Sequence, residues 1–272
     1  MNTEQKRRYS RHIQLEGFGA EGQERLLAGK VLLVGAGGLG SPCALYLAAS
    51  GVGTIGLVDG DVVSLSNLQR QVIHFGDDIG KDKVMSAREK MHRMNPDVHV
   101  ETYPTFLTED NAMQIISGYD FVIDCTDSFA SKYLVNDACV MAGKAFCCGG
   151  VVKWGGQVMT HVPGSACYRC LFPEPPAASQ VETCSMVGVL SPAVGIMGTI
   201  QASEAVKYLS GTGELIVNTL LTFDARNMQF ERWDFEPDRH CALCGETPSI
   251  TILQEYAFQP CRKNNQSTNN NP

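Results

Sequence analysis

A glycine-rich turn between an apolar run and a helical run is the first feature of this chain with a clear chemical use. The segment VLLVGAGGLG covers residues 31–40, and SPCALYLAAS follows it. In the order strand, Gly-x-Gly-x-x-Gly, helix, Gly35 permits a tight turn, Gly37 lets a phosphate approach the backbone, and Gly40 lets the helix pack closely on the strand. The helix N-terminus directs unpaired N–H groups and its positive dipole end at an anion. The pattern therefore predicts a nucleotide site but does not decide which nucleotide binds.

Acidic residues follow two of the predicted strands. Asp59 ends the second strand, where a carboxylate suits a ribose hydroxyl, although a turn or capping aspartate gives the same pattern. Asp124 and Asp127 close the segment YDFVIDCTD, at the sheet edge where open α/β folds bind ligands. A carboxylate that faces a polyphosphate commonly holds Mg²⁺. Asp127 lies further past the strand and is the better candidate, whereas Asp124 also suits a turn or a strand end.

Four of the eleven cysteines form two Cys-x-x-Cys pairs, Cys167 with Cys170 and Cys241 with Cys244. Four thiolates are a common ligand set for structural zinc, and they leave no open position for a catalytic zinc. The long gap between the pairs differs from a compact zinc finger. It predicts a clip that ties the C-terminal segment back onto the domain. Two unrelated thiol pairs are the alternative interpretation.

The other cysteines fall into different surroundings. Five lie in apolar stretches and are expected to be small buried hydrophobic side chains: Cys43, Cys125, Cys139, Cys147 and Cys148. Cys184 lies in the stretch CYRCLFPEPPAASQVETCSM, whose prolines and small residues predict a long loop.

The elements that would position these residues alternate between strand-like and helical segments. Up to about residue 150, this alternation predicts a doubly wound, mostly parallel Rossmann-like α/β sheet. Later strands, among them ELIVNTLLTFDA and NMQFERWDF, predict an antiparallel extension. Between them, Ser191 as N-cap and Pro192 as first residue predict the start of a long helix that ends near Leu209.

One domain is expected at residues 1–262, followed by a disordered tail at 263–272. We divide the domain into a nucleotide-binding half at about 1–150 and a zinc-clipped half at about 151–262.

Composition limits the class of protein. The chain has 272 residues, of which 44% are hydrophobic and 19% charged, as in a globular protein. We expect no membrane span and no signal peptide, and hence a cytoplasmic protein, because no apolar run approaches about 20 residues. A net charge of −7 argues against a nucleic-acid partner. Disulfides are not expected in a reducing cytosol, which favours metal binding by the cysteine pairs.

Taken in order, several motifs resemble the ThiF/MoeB/HesA family, the bacterial relatives of ubiquitin-activating enzymes. They are GAGGLG, VDGDVVSLSNLQRQ, GKDKV, DCTD, CYRC, SPAVGIMGTIQASEAVK and CALC, and they span about residues 5–245. The resemblance implies that ATP and Mg²⁺ are used to adenylate the C-terminal glycine of a small ubiquitin-like sulfur-carrier protein that ends in Gly-Gly, with release of pyrophosphate. The acyl-adenylate would later become a thiocarboxylate.

A C-terminal carboxylate, with a pKa of about 3.5, is already ionised at neutral pH. The reaction therefore needs positioning and charge neutralisation rather than a general base.

The resemblance also implies roles for individual residues. It assigns nucleotide binding to Gly37, Gly38, Gly40, Asp59, Asp61, Asn67, Arg70 and Lys83. Arg70 and Lys83 would contact phosphates, Asp127 would bind Mg²⁺, and the zinc ligands would be Cys167, Cys170, Cys241 and Cys244. Arg11 would reach the phosphates of the other subunit, so that the active unit would be a homodimer. Cys184 matches a cysteine that some relatives link covalently to the carrier, and an inert loop thiol is the equal alternative.

Several functions stay open from the sequence. A thiamine-type carrier is favoured, with a molybdopterin-type carrier as the alternative, and a separate protein is expected to donate the sulfur. An NAD-dependent oxidoreductase with the same glycine motif would have no use for Mg²⁺ or for the pair Arg70 and Lys83. A non-catalytic scaffold would bind the carrier through the zinc-clipped half, and its binding would be unaffected by the substitution Asp127→Ala.

Overall fold

The computed structural model describes residues 1–176 and 184–254. Among these residues, eight strands form one sheet in the order β3-β2-β1-β4-β5-β6-β7-β8. The strands are β1 Lys30–Val34, β2 Thr54–Val58, β3 His99–Tyr103, β4 Phe121–Asp124, β5 Ala145–Val152, β6 Gly155–His161, β7 Thr219–Asp224 and β8 Gln229–Asp234. The expected tail at 263–272 lies outside the described residues.

The helices of the described residues alternate with the first five strands and then precede the final hairpin. They are α1 Thr3–Arg8, α2 Ser10–Ile13, α3 Gly19–Ala28, α4 Gly40–Ser50, α5 Lys83–Met94, α6 Ala112–Ser117, α7 Phe129–Met141, α8 Tyr168–Leu171, α9 Cys184–Val187 and α10 Ser191–Ser210. Short 3₁₀ turns, Leu65–Asn67 and Gly76–Asp78, lie between β2 and α5.

The sheet is parallel from β3 to β5 and antiparallel from β5 to β8. Because β1 pairs with both β2 and β4, the chain moves from β1 to one side of the sheet and later returns to the other. This reversal is the switch point at which open α/β sheets bind ligands. The predicted Rossmann-like sheet with an antiparallel extension is therefore confirmed.

Helices cover both faces of the parallel part. Val31 and Leu33 of β1 pack in one apolar cluster with residues of α4, α5 and α10, whereas Leu32 and Val34 pack in another with α6 and α7. Successive strand residues point to opposite faces, so a strand buried on both faces must be apolar throughout. This requirement explains the unbroken apolar run before the glycines.

Helix α10 corrects one detail of the sequence prediction. Its N-cap is Leu190, and Pro192 lies in the first turn, so Ser191 is the first helical residue rather than the cap. Proline fits any position in a first turn, because the N–H groups there have no acceptor within the helix. The Ser-Pro pair therefore predicts the first turn of the helix but does not decide which residue is the N-cap. Gly211 ends the helix with a φ of +68°.

The final strands form the predicted hairpin, since β7 and β8 are antiparallel neighbours. In the described ranges, every helix is too short or too polar to cross a bilayer.

Candidate functional site

The candidate site lies at the switch point, where the turn after β1 meets the turn after β4. Val34 and Asp124 are paired neighbours at the ends of these strands. The glycine loop 35–40 follows the first strand, and the turn 125–128 follows the second. The topology thus places the glycine motif and the DCTD motif at one crevice, as ligand binding at a switch point requires.

Two glycines of the loop cannot carry a side chain. Gly35 has a φ of +102°, and a Cβ there would lie 3.0 Å from the carbonyl oxygen of Cys125. A Cβ on Gly40 would lie only 2.0 Å from the carbonyl oxygen of Gly35. The predictions of a tight turn at Gly35 and close packing at Gly40 are confirmed.

The loop also touches α10 and leaves its own amides available. A Cβ on Gly38 would lie 2.9 Å from Val194 Cγ1 in α10. In the part of the chain that the structure describes, no group accepts a hydrogen bond from the amides of Gly37, Gly38 and Leu39. Unpaired N–H groups at the N-terminus of α4 can bind an anion.

Asp59 holds the backbone beside the loop. Its Oδ2 accepts from the amide of Ala36 at 2.8 Å, and its Oδ1 accepts from the amide of Asp61 at 2.9 Å. Burial raises the pKa of this carboxyl, against the opposing effect of Lys83. Asp59 therefore shapes the loop and the turn after β2, as the alternative interpretation of a turn aspartate predicted. Each of its oxygens keeps a second lone pair for a ribose hydroxyl.

Two cations lie next to these groups. Lys83, the first residue of α5, donates to Asp61 Oδ2 at 2.8 Å and lies 3.8 Å from Asp59 Oδ2. Arg70 donates to the carbonyl of Ser66 at 3.2 Å, and its Cγ lies 3.7 Å from where a Cβ of Gly38 would be. Both side chains can therefore meet an anion that the loop binds.

Asn67 supports the segment that carries Arg70. Its Oδ1 accepts from the amide of Ser64 at 3.2 Å, and its carbonyl accepts from the amide of Arg70 at 3.1 Å. The amide oxygen thus orders the 3₁₀ turn Leu65–Asn67.

The two acidic residues after β4 differ in surroundings. Asp124 is fully buried, and its Oδ2 lies 3.0 Å from Lys132 Nζ and 3.1 Å from Cys148 Sγ. Its Oδ1 accepts from the amide and hydroxyl of Thr126. Asp127 is exposed, and no hydrogen bond or ion pair engages its carboxylate within the described ranges. Of the two aspartates, Asp127 therefore has the carboxylate that a cation can reach.

Sequence reasoning missed Lys132 because a lysine inside a helix normally lies in solvent. Here its side chain is 9% exposed. Burial alone would lower the pKa of Lys132, but the Asp124 carboxylate raises it. The pair fixes the start of α7 next to Asp127.

Gln71 is a second missed residue. It is 4% exposed, its Oε1 has no hydrogen-bond partner among residues 1–176 and 184–254, and its Nε2 lies 3.3 Å from where a Cβ of Gly37 would be. A buried polar atom without a partner costs free energy. Because its Nε2 lies close to Gly37, Gln71 is a further group that faces the loop. Its position beside Arg70 in the LQRQ segment was the available signal.

Arg11 is not brought to the crevice by its own chain. It lies exposed on α2, and its Nη1 donates to Gln14 Oε1 at 3.3 Å. The predicted phosphate contact across subunits remains a prediction.

The two Cys-x-x-Cys pairs come together as one cluster. The four sulfur atoms lie within 4.8 Å of one another. The distance from Cys167 to Cys241 is 3.7 Å, and that from Cys170 to Cys244 is 3.4 Å. Tetrahedral zinc with Zn–S bonds of about 2.3 Å separates its sulfurs by about 3.8 Å. The cluster therefore fits the predicted metal site, and the alternative of two unrelated thiol pairs is wrong.

Arg169, inside the first pair, ties this cluster to α7. Its Nε and Nη2 each donate to the Asp137 carboxylate at 2.8 Å. Tyr133 donates to the carbonyl of Phe172 at 2.9 Å. The helix that starts after Asp127 is thus joined to α8, which carries Cys170.

The remaining described cysteines are buried, as predicted: Cys43, Cys125, Cys139, Cys147 and Cys148. Burial raises the pKa of four of these thiols well above the ordinary value, those of Cys125, Cys139, Cys147 and Cys148. A protonated thiol is a weak nucleophile. The side chain of Cys184 lies outside the described part of the chain, so both of its predicted roles remain predictions.

The fold and the site define the class of protein. A glycine loop with available amides, two cations and an exposed carboxylate at the switch point of an α/β sheet are the parts of a nucleotide-binding protein. The chain belongs to the ThiF family, which matches residues 9–244.

Relatives of known name support this assignment. The chain is 46% identical over 239 residues to the SAMP-activating enzyme E1 of Haloferax volcanii, with 88% of each chain covered. It is 41% identical over 255 residues to the sulfur carrier protein adenylyltransferase of Thermus thermophilus, covering 92% of this chain and 94% of that one. The predicted enzyme class, a nucleotidyltransferase, is confirmed.

A third relative is longer. Adenylyltransferase and sulfurtransferase MOCS3 of Sus scrofa is 45% identical over 251 residues, which cover 92% of this chain. The chain spans 55% of that relative's length.

Solved structures show the same fold. The structure of E. coli MccB with ATP has a TM-score of 0.77 at 24% identity, covering 87% of this chain and 74% of that one. The structure of PaaA has a TM-score of 0.73 at 24% identity, covering 88% of this chain and 76% of that one. At these identities the likeness concerns the fold alone.

Proposed function

We propose that this protein is an ATP-dependent adenylyltransferase that activates the C-terminal glycine carboxylate of a small ubiquitin-like sulfur-carrier protein. One observation carries the proposal: Arg70 and Lys83 lie beside the glycine loop and its available amides, and the exposed Asp127 follows β4, the strand paired with the one that precedes the loop. The names of the relatives from Haloferax volcanii and Thermus thermophilus support the same activity.

The residues divide the work by charge. The amides after Gly37 and the side chains of Arg70 and Lys83 bind phosphate oxygens, which neutralises the charge that develops as pyrophosphate leaves. Lys83 exchanges its bond to Asp61 for a phosphate. Asp127 would hold Mg²⁺, which supplies further charge neutralisation on the polyphosphate. The carrier carboxylate, already ionised, forms the bond to the α-phosphorus, and the bond from that phosphorus to pyrophosphate breaks.

Asp59 would contact the ribose in addition to holding the loop. The four thiols would hold one structural zinc, which would stabilise the fold and take no part in the reaction. Sulfur would come from a separate donor protein.

A homodimer is part of the proposal, because Arg11 is the one proposed phosphate ligand that its own chain does not bring to the crevice. Exposed apolar side chains on the segment between β2 and α5 support a partner surface there. They are Val62, Leu65, Val72, Phe75 and Ile79. A second copy of the chain would cover them and place Arg11 at the neighbouring site.

The other classes fit these groups less well. An NAD-dependent oxidoreductase has no use for Mg²⁺ at Asp127 or for the pair Arg70 and Lys83. A non-catalytic scaffold needs neither Asp127 nor the two cations.

Exchange of labelled pyrophosphate into ATP tests the function. We expect exchange only with a carrier that ends in Gly-Gly, and none with the same carrier as a C-terminal amide, which lacks the attacking carboxylate. Thiamine-type and molybdopterin-type carriers, assayed side by side, decide the pathway, and we expect the thiamine-type carrier to support faster exchange. Absence of exchange with every Gly-Gly carrier would overturn the proposal.

A further inference from the structure

His74 is buried beside the glycine loop and belongs to none of the groups described above. It lies on the segment between the two 3₁₀ turns and is 3% exposed. Its Nε2 lies 2.9 Å from the carbonyl oxygen of Ala36, and its Nδ1 lies 2.9 Å from Ser86 Oγ in α5. One imidazole therefore joins the loop to the helix that begins with Lys83.

The partners determine which nitrogen carries the proton. A carbonyl oxygen only accepts, so Nε2 is protonated and donates to Ala36. Nδ1 is then an acceptor, and the Ser86 hydroxyl donates to it. Ser86 Oγ in turn accepts from Lys90 Nζ at 3.0 Å, and Lys90 is paired with Asp78. In this arrangement the imidazole is neutral, and it joins the ion pair of Lys90 and Asp78 to the loop through Ser86.

The other side of Ala36 is held as well. Its amide donates to Asp59 Oδ2 at 2.8 Å, while its carbonyl accepts from His74. The residue between Gly35 and Gly37 is thus fixed from both sides by buried side chains. Glycines contribute no side-chain contacts of their own, so a loop of this composition depends on such outside contacts to keep one conformation.

We propose that neutral His74 is a positioning residue that latches the glycine loop onto α5 and so keeps its amides in the geometry that binds the nucleotide. The part concerning the nucleotide rests on the proposed function. The part concerning the loop does not.

Protonation of His74 would weaken the latch at its α5 end, because Nδ1 would no longer accept from Ser86, while the bond from Nε2 to Ala36 stays. A second N–H, on Nδ1, would face the Ser86 hydroxyl, which already accepts from Lys90. The charged groups around the ring are Lys83 and Lys90 from α5 and Asp78 from the 3₁₀ turn Gly76–Asp78. Burial is the main cause that lowers the pKa of His74, and both lysines act in the same direction, whereas the bond to Ala36 and the Asp78 charge oppose it.

The sign of the pH effect follows from linkage. Below about pH 6.5 the unfolded chain binds a proton at this histidine before the folded protein does. The free energy of unfolding therefore falls as the pH drops from about 6.5 toward the lower folded pKa. Further acidification protonates the folded imidazole at Nδ1 and weakens its contact with Ser86 in α5.

Two substitutions separate the latch from general packing. His74→Gln keeps an N–H donor for Ala36 and does not titrate, whereas His74→Leu removes the donor. His161→Gln is the matched control, because burial also lowers the pKa of His161, yet its ring bonds to Ala166 and Ser165, away from the loop.

Hydrogen exchange of the hydrogen-bonded loop amides, those of Gly35, Ala36 and Ser41, tests the latch directly when measured without nucleotide. We expect exchange about tenfold faster in His74→Leu than in the wild type, and little change in His74→Gln or His161→Gln. Equal exchange in His74→Leu and the wild type would overturn the latch. If circular dichroism shows that His74→Leu does not fold, the pH dependence of exchange tests the latch instead. The same loop amides of the wild type must then exchange faster as the pH falls below about 6, after correction for intrinsic rates. Those of His74→Gln must not.

Binding of ATP with Mg²⁺, measured by calorimetry between about pH 5.5 and 8, tests the consequence for the nucleotide. Affinity should fall more steeply on the acid side in the wild type and in His161→Gln than in His74→Gln, because protonation of the terminal phosphate of ATP weakens binding to all three alike. The same acid loss in His74→Gln would overturn the role of His74 in nucleotide binding. Absence of ATP binding by the wild type at every pH would count against the proposed function, and hydrogen exchange would still decide the latch.

Discussion

Asp124 and Asp127 are three residues apart and have opposite surroundings. The first is buried against Lys132 and caps the turn through Thr126, whereas the second is exposed and unpaired among the described residues. A buried carboxylate stabilises the fold, and an exposed one at a ligand crevice can act on the ligand. The two aspartates therefore give a matched comparison of structure and chemistry.

Asp127→Asn should abolish most activity and leave the fold intact. A neutral amide holds Mg²⁺ weakly, so pyrophosphate exchange should fall by about 100-fold. The free energy of unfolding should change by less than about 0.5 kcal/mol, because the side chain is exposed. Exchange assays and denaturant titration measure the two effects. Exchange at the wild-type rate would remove Asp127 from the proposed Mg²⁺ site.

Asp124→Asn should have the opposite effect, because it should mainly lower the free energy of unfolding. Removing one partner leaves the Lys132 charge buried and uncompensated, which costs roughly 3 kcal/mol. Denaturant titration of both variants in parallel measures this. A loss no larger than that of Asp127→Asn would show that the buried pair contributes little.

At the scale of elements, the loop needs glycine mainly because other backbone atoms lie too close for a side chain, and less because glycine is flexible. A Cβ at Gly40 would lie 2.0 Å from a backbone oxygen, whereas one at Gly195, inside α10, would meet no atom within 4 Å. Both glycines belong to helices, so intrinsic helix propensity favours alanine at each of them. Their surroundings alone separate the two positions.

Gly40→Ala should therefore lower the melting temperature and weaken ATP binding, because α4 must move away from β1. Gly195→Ala should raise the free energy of unfolding by about 0.5–1 kcal/mol through helix propensity. Thermal unfolding and calorimetry measure both variants. Equal stability of the two would contradict the close packing of α4 on the strand.

The strands and the switch point were predictable because local sequence encodes them. An apolar run such as 31–34 fits a strand buried on both faces, and the glycines that follow it fit one turn geometry. Lys132 and His74 could not be assigned in this way. Their partners, Asp124 on a neighbouring strand and Ala36 in the loop, are set by tertiary packing, and a lone lysine or histidine in sequence gives no sign of its partner.

At the scale of the whole molecule, the four-cysteine cluster joins distant parts of the chain. Its spacing motif made the ligand set predictable, although the bond from Arg169 to Asp137, which connects the cluster to α7, was not. The cluster and the switch point are thereby linked through one helix.

Zinc content tests the cluster. Purified protein should contain about one zinc per chain, and Cys244→Ser should lose it and melt at a lower temperature. Cys139→Ala, a buried cysteine outside the cluster, should keep its zinc. Elemental mass spectrometry measures the content. Full zinc in Cys244→Ser would contradict a four-thiolate site.

Mixing inactive variants tests the homodimer. Arg11→Ala mixed with Asp127→Asn should recover about a quarter of wild-type exchange, since half of the dimers are mixed and each has one intact site. Arg70→Ala mixed with Asp127→Asn should recover none, because both residues act in the same chain. Native mass spectrometry verifies that subunits exchange. Mixed dimers without recovery would place Arg11 outside the neighbouring site.

The distance along the chain between the two cysteine pairs has a consequence for synthesis on the ribosome. Cys167 and Cys170 emerge well before Cys241 and Cys244, with α10 and the hairpin of β7 and β8 between them. During that interval the first pair is half of a cluster. The cluster closes only once translation has passed residue 244, after every described strand has been synthesised. A chain released early keeps two unmatched thiols, a chemical sign by which incomplete copies differ from complete ones.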